Sequence, residues 1–284
     1  MGVITKDTNT AQHTEASSVK KEDKFTGSYF QWLKQELTGW DRFPWGLLFF
    51  GVGFELSTTI AAPITWQSIV AFIGIFFGMF CVVAMSAGGY DTDGNRVVSH
   101  AINGYFGAVS VIAYIIVNIN AQHYFSVIDQ LFFFFLIDVE LMFTWRTWGR
   151  GKNSEIRQLK VKQWVLAVAV ILGLWLVLYH IGQIPALGEH NALWDSLALA
   201  IGSVASYLCF RRYTETYSLW LISDVVNIAL WFSALQHGYS AQSLPMLIMT
   251  LFYFVSAIYG RIVWRKNGTN TEKATKKVDT LAKV

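Results

Sequence analysis

Eight stretches of mostly apolar residues follow one another along the chain, at about 43–62, 66–86, 102–121, 128–148, 163–184, 192–211, 217–236 and 241–264. About 20 such residues in helical conformation cross the hydrocarbon core of a bilayer. Backbone amides in that core are satisfied only inside helices or closed barrels. The runs are too long and too uniformly apolar for barrel strands, so they predict an all-α integral membrane protein with eight transmembrane helices. Composition agrees: only 14% of the 284 residues are charged and mean hydropathy is +0.38, values outside the ordinary soluble range.

The connections near Ala62, Phe125, Ile184 and His237 carry no Lys or Arg. All 22 of these residues fall on the other side: before the first span, after the second, fourth and sixth, and from Arg261 onward. Since Lys and Arg collect in cytoplasmic loops, both termini are expected in the cytoplasm and the four uncharged connections outside. The glycosylation pattern Asn267-Gly268-Thr269 then lies on the wrong side for modification. A net charge of +3 spread over five segments offers no basic face to nucleic acid. Residues 1–27 are expected to form a disordered cytoplasmic tail without a cleavable leader, and 265–284 a second cytoplasmic tail. Over 28–42, Tyr29, Phe30, Leu33, Leu37 and Trp40 follow a helical spacing, which predicts an amphipathic helix on the inner interface. Cys81 and Cys209 lack metal-ligand spacing and read as reduced packing residues.

Two phrases are written twice. WQSIVAFIG from Trp66 returns as WDSLALAIG from Trp194, and AQHYFS from Ala121 returns as LQHGYS from Leu235, in the same order. These echoes predict two three-helix repeats, 66–148 and 192–264, joined by a linker helix at 163–184, with 43–62 as an extra N-terminal span. A repeat plus its linker makes four helices, so both copies enter the membrane in the same direction. That is the parallel arrangement of SWEET-type transporters, in which substrate binds near the midplane between the repeats.

Ionisable groups at mid-depth cost about 2.5 kcal/mol or more on insertion scales, so they face a cavity or a partner. Here they are Glu55, Asp138, Glu140 and Asp224, all acidic. In span seven, Trp220, Asp224, Asn227 and Trp231 recur at steps of four, three and four and share one helical face. Two indoles with a carboxylate and an amide between them suit a flat heterocycle carrying a sugar. The competing reading is interfacial anchoring by the Trp pair and helix packing by the polar pair. Asp138 and Glu140 point to different faces; Asp138 is assigned to the site and Glu140 to an interface or a protonated state. Ser110, Tyr114 and Asn118 form an i, i+4, i+8 stripe and complete the candidate site, Ser110 being the repeat counterpart of Asp224. Glu55, outside the repeats, is assigned to packing or a subunit contact. Gln122, His123, Gln236 and His237, at external helix ends, are either gate residues or plain end caps. DTDGN from Asp91 resembles a calcium loop but lacks its Gly placement and terminal Glu, and reads as a cytoplasmic turn.

Several segments resemble the PnuC-type vitamin transporters: WDS at Trp194, RRY at Arg211, SLWLISDVVNIALWFSALQHGYS from Ser218, IYGRIVW from Ile258, and, in copy one, NGYFGAVSVIAYIIV from Asn103 and QLFFFFLIDVELMFTW from Gln130. The resemblance covers about residues 62–266. It implies a core of three, one and three helices in the inner membrane of a bacterial cell, commonly a homotrimer. It also implies facilitated diffusion of nicotinamide riboside, trapped by a cytoplasmic kinase. This sequence departs from the family where Asp224 stands four residues after Trp220, a place the family gives to Asn, and where Asp138 again replaces an aligned Asn. An amide donates and accepts, whereas an ionised carboxylate only accepts, which favours a cation or a ligand rich in OH and NH. Nicotinamide riboside fits; so do thiamine, riboflavin, nucleosides and deoxynucleosides. No HExxH or HxxxH pair occurs, so no catalytic residue, metal or cofactor is expected. A sensor or scaffold that binds a vitamin without moving it fits the same residues.

Overall fold

The structure, a computed structural model, describes residues 25–61, 63–90, 96–97, 99–148 and 156–281. The turn at 91–95 and residues 1–24 of the N-terminal tail lie outside the described residues.

The helices in chain order are α1 (Tyr29–Glu36), α2 (Arg42–Ala61), α3 (Trp66–Ser86), α4 (Asn103–Asn120), α5 (Tyr124–Phe133), α6 (Val139–Thr144), α7 (Val161–Gly182), α8 (Ala192–Phe210), α9 (Thr216–His237) and α10 (Ser243–Leu281). Apart from a two-residue antiparallel pair, β1 (Gly89–Tyr90) with β2 (Arg96–Val97), the described regular structure is helical. Among the described residues, seven helices are long and apolar enough to cross a membrane: α2, α3, α4, α7, α8, α9, and α10 over Ser243–Lys266. The window expected as an eighth unbroken span is divided. There α5 runs into a π-helical turn at Phe134–Asp138 and then into α6. A π turn accommodates an extra residue and rotates everything after it relative to what came before.

Helix α3 opens with a reciprocal cap between Thr65 and Ser68, directly before the first copy of the repeated Trp. Helix α1 is shorter than the expected amphipathic segment, and it docks on the protein. Trp32 is buried at 4.9 Å from Trp145 and 6.0 Å from Tyr105, whereas Phe30, on the expected apolar face, is exposed. Three large aromatic surfaces removed from water outweigh the interfacial pull on one ring.

Packing is sequential within two groups: α3 on α4 on α5, and α8 on α9 on α10. Across the groups, α3 meets α10 and α5 meets α8. Exchanging the two groups maps this pattern onto itself. Helix α2 lies against α3 and α10, with Gly51 where Phe252 and Met79 close in, and α7 lies against α8. Helix α7 buries only Ala167, Ile171 and Gly182, as a helix facing lipid on most sides should.

Candidate functional site

One cavity lies where the two groups meet, and α3, α4, α5, α8, α9 and α10 all line it; α2 and α7 contribute nothing. Its free volume is about 150 Å³, the size of cavities that hold one benzene-sized molecule.

Helix α9 supplies the richest wall. Its step of four, three and four carries Trp220, Asp224, Asn227 and Trp231 into the cavity together. Asp224 is 9% exposed and, among the described residues, has no hydrogen-bond partner. The Asn227 amide donates to the Ser223 carbonyl at 3.0 Å, which leaves its own oxygen free to accept. From α4 come Ser110, Tyr114 and Asn118. Asn118 donates to the Tyr114 carbonyl at 2.9 Å while its side-chain oxygen is buried without a partner. The Tyr114 hydroxyl lies 2.9 Å from that of Tyr253 and 2.6 Å from the Met249 sulfur, tying α4 to α10.

Seven of the eight expected site residues therefore converge; Asp138 does not line the cavity. It sits in the π turn, fully buried, with its carboxylate packed on Gly107 and both oxygens unpartnered. A β-carbon at Gly107 would collide with that carboxylate. Among the gate candidates, His123 is buried with its ring 4.9 Å from Trp231, so it touches the cavity wall. Gln122 turns in left-handed conformation and its carbonyl accepts from His190 N–H at 2.9 Å. Gln236 and His237 are exposed at the end of α9, and His237 stacks on Tyr239 at 5.1 Å. Glu55 is buried within the protomer, and Glu140 lies within electrostatic reach of Arg212, whose guanidinium covers Trp148 at 4.0 Å.

The structure adds lining residues that sequence reasoning passed over, chiefly Asp129, Ser126, Gln130, Ser206, Thr250 and Tyr253. Asp129 matters most. Its carboxylate packs against Gly202 of α8, one oxygen has no partner, and the residue faces the cavity from α5, a different wall from Asp224. No Lys or Arg lines the cavity.

One turn before Asp129, the start of α5 is held by acids. Asp195 of α8 accepts from the Phe125 and Ser126 amides at 2.9 and 3.1 Å and from the Ser126 hydroxyl. Glu189, in the connection before α8, accepts from the Tyr124 amide at 2.7 Å. Burial, and then the neighbouring Asp195 carboxylate, push Glu189 up from 4.5 to about 9. The folded state then keeps a proton that the unfolded chain has released, so stability falls as pH rises from 4.5 towards 9. Burial lowers His100 and His123 to about 4; their opposite trend ends near pH 6.5. Between pH 6.5 and 9, melting of the wild type is expected to drift downward and that of Glu189→Gln to stay flatter. Parallel curves would remove Glu189 from this role.

Comparison with known proteins places this geometry. The family described as nicotinamide mononucleotide transporter matches residues 68–266. The chain is 29% identical over 259 residues to the nicotinamide riboside transporter PnuC of Neisseria mucosa, covering 87% of this chain and 89% of that one. It is 25% identical to the nicotinamide riboside transporter PnuC of Escherichia coli, covering 68% and 83%. A crystal structure of the vitamin B3 transporter PnuC superposes with a TM-score of 0.66 at 24% identity, over 86% of this chain and 99% of that one, which shows the shared fold. A family match that takes in every residue lining the cavity leaves one conclusion: the chain belongs to the nicotinamide mononucleotide transporter family, the PnuC-type proteins that its span-seven motif resembles.

Proposed function

We propose that this protein carries nicotinamide riboside into the cell across the bacterial inner membrane, by facilitated diffusion, with the substrate held between two parallel three-helix repeats. The observation that carries the reading is the lining of the cavity: indoles of Trp220 and Trp231, carboxylates of Asp129 and Asp224, and no Lys or Arg. A pyridinium ring stacks on indole and is attracted by carboxylate; ribose hydroxyls donate to the acceptors that Asn118, Asn227 and the acids leave open. The phosphate of a mononucleotide meets two acids and no cation, so the riboside is favoured over the phosphorylated form. Several curated relatives bear the name of nicotinamide riboside transporters, which supports the same substrate.

In this reading the repeats 66–148 and 192–264 rock about the site and α7 links them. The self-mapping contact pattern of α3, α4, α5 and α8, α9, α10 supports the pairing. A cavity that holds one ring must widen to admit a nucleoside, and rocking supplies that movement. Asp138 serves from behind Gly107 as a second-layer group, and His123 belongs to the outer gate against Trp231. Both termini lie in the cytoplasm, the assembly is a homotrimer, and a cytoplasmic kinase traps the product.

The test is calorimetric binding and proteoliposome uptake with nicotinamide riboside, its mononucleotide, thiamine, riboflavin and a nucleoside panel. Saturable binding and entry of the riboside, with neither for the mononucleotide, is expected. Preference for thiamine or another nucleoside would move the substrate within the family fold. Binding without entry would make the protein a sensor.

A further inference from the structure

A second hollow lies away from the cavity, on the outer side of the bundle between α5, α7 and α8, with a volume of about 580 Å³. Its walls are apolar along most of their length: Phe132 from α5, Leu166, Val170 and Leu174 from α7, and Leu199 and Val204 from α8. From Gln163 to Leu178, α7 rises about 22 Å at ~1.5 Å per residue, more than the roughly 15 Å depth of one leaflet's acyl region. Apart from Ser203, the polar groups of the lining gather at one end, at Gln163, Tyr207, Arg211 and Tyr213.

That end is basic. Arg211 is exposed and, among the described residues, enters no ion pair. Backbone bonds from Arg157 N–H to the Arg212 carbonyl at 2.8 Å and from Thr214 N–H to the Arg157 carbonyl at 3.0 Å hold a second exposed cation on the neighbouring strand. Lys160 and Lys162 open α7 at the same end. Arg212 is spent on Trp148.

We propose that this groove binds one anionic phospholipid, an acyl chain lying along α7 and α8 and the phosphate against Arg211. The sign and the shape of the groove select the occupant. A zwitterionic lipid brings a cation of its own to the basic end. An anionic headgroup gains attraction from each cation it engages near the membrane surface.

Native mass spectrometry of the full chain in detergent tests this, with phosphatidylglycerol and phosphatidylcholine of identical acyl chains. Phosphatidylglycerol is expected to be retained about fivefold better for each engaged cation. Arg211→Gln is expected to erase the preference, and Val204→Trp, which fills the groove, to reduce retention of both lipids. Equal retention of the two lipids, or an unchanged preference in Arg211→Gln, overturns the proposal. Displacement of phosphatidylglycerol by inorganic phosphate at equal concentration would reassign the end to a free anion. Loss of an oligomer in Val204→Trp with lipid retention unchanged would give the groove to a second copy.

Discussion

Asp224→Ala is expected to bind nicotinamide riboside about 10- to 150-fold more weakly than the wild type, because a hydrogen bond to a charged group contributes ~1.5–3 kcal/mol. Trp220→Ala is expected to lose a similar amount, since stacking a base on an aromatic side chain is worth ~1–3 kcal/mol. Asp224→Ala removes no hydrogen bond of the fold, whereas Trp220→Ala also removes packing, so a melt of each purified variant is read beside its affinity. Asp224 has no hydrogen-bond partner among the described residues, and Trp220 lines the cavity 6.4 Å from Phe133 and edge-on to Tyr217 at 5.1 Å. Calorimetry on purified variants reads the effect directly. Asp224→Asn separates charge from hydrogen bonding: the amide still meets ribose hydroxyls but no longer attracts a pyridinium. Equal loss in Asn and Ala variants would assign the effect to charge. Unchanged affinity in both Asp224→Ala and Trp220→Ala would dismiss α9 as the binding wall.

The second large effect is on stability. Asp195→Ala is expected to cost about 3 kcal/mol, because three donors at the start of α5 lose a shared acceptor in a buried place. For a chain of this size each kcal/mol lowers the melting temperature by roughly 2–4 °C, so a drop of about 6–12 °C is expected in a detergent melt. Asp195→Asn keeps an acceptor and should recover part of it. The bonds cross between the two groups of helices, since Asp195 opens α8 and the donors open α5. Loss of the cap should therefore loosen the α5–α8 contact at that end. A melt unchanged within a degree would mean that water replaces the carboxylate without loss.

Much of the cavity wall was readable along the chain because a helix turns a linear period into a face. Trp220, Asp224, Asn227 and Trp231 needed only their spacing, and Ser110, Tyr114 and Asn118 likewise. Asp129 was missed for a geometric reason. Read from hydropathy, the fourth span starts near residue 128, which leaves Asp129 at the membrane edge. In the structure α5 begins at Tyr124, more than a turn earlier, so Asp129 reaches the cavity. Asp138 was assigned to the site as one of two mid-depth acids on different faces of a helix of regular period. The π turn that ends at Asp138 breaks that period and turns its carboxylate onto Gly107. Asp195 was quoted only as part of a repeated phrase. Its partners lie about 70 positions earlier in the chain, and no local pattern announces a cap supplied by another helix.

What the sequence determined by itself was the apolar period and the sidedness of charge, because a bilayer imposes one length and one polarity on every span whatever its neighbours do. What only the tertiary structure decided was which polar groups share a space. Tyr253 against Tyr114, Asp129 against Gly202 and Asp138 against Gly107 are contacts between helices. Such contacts depend on the rotation and depth of each helix in the bundle. Residues that pack equally well against lipid or protein do not encode that rotation locally, and close approach at glycine fixes it only once both helices are in place.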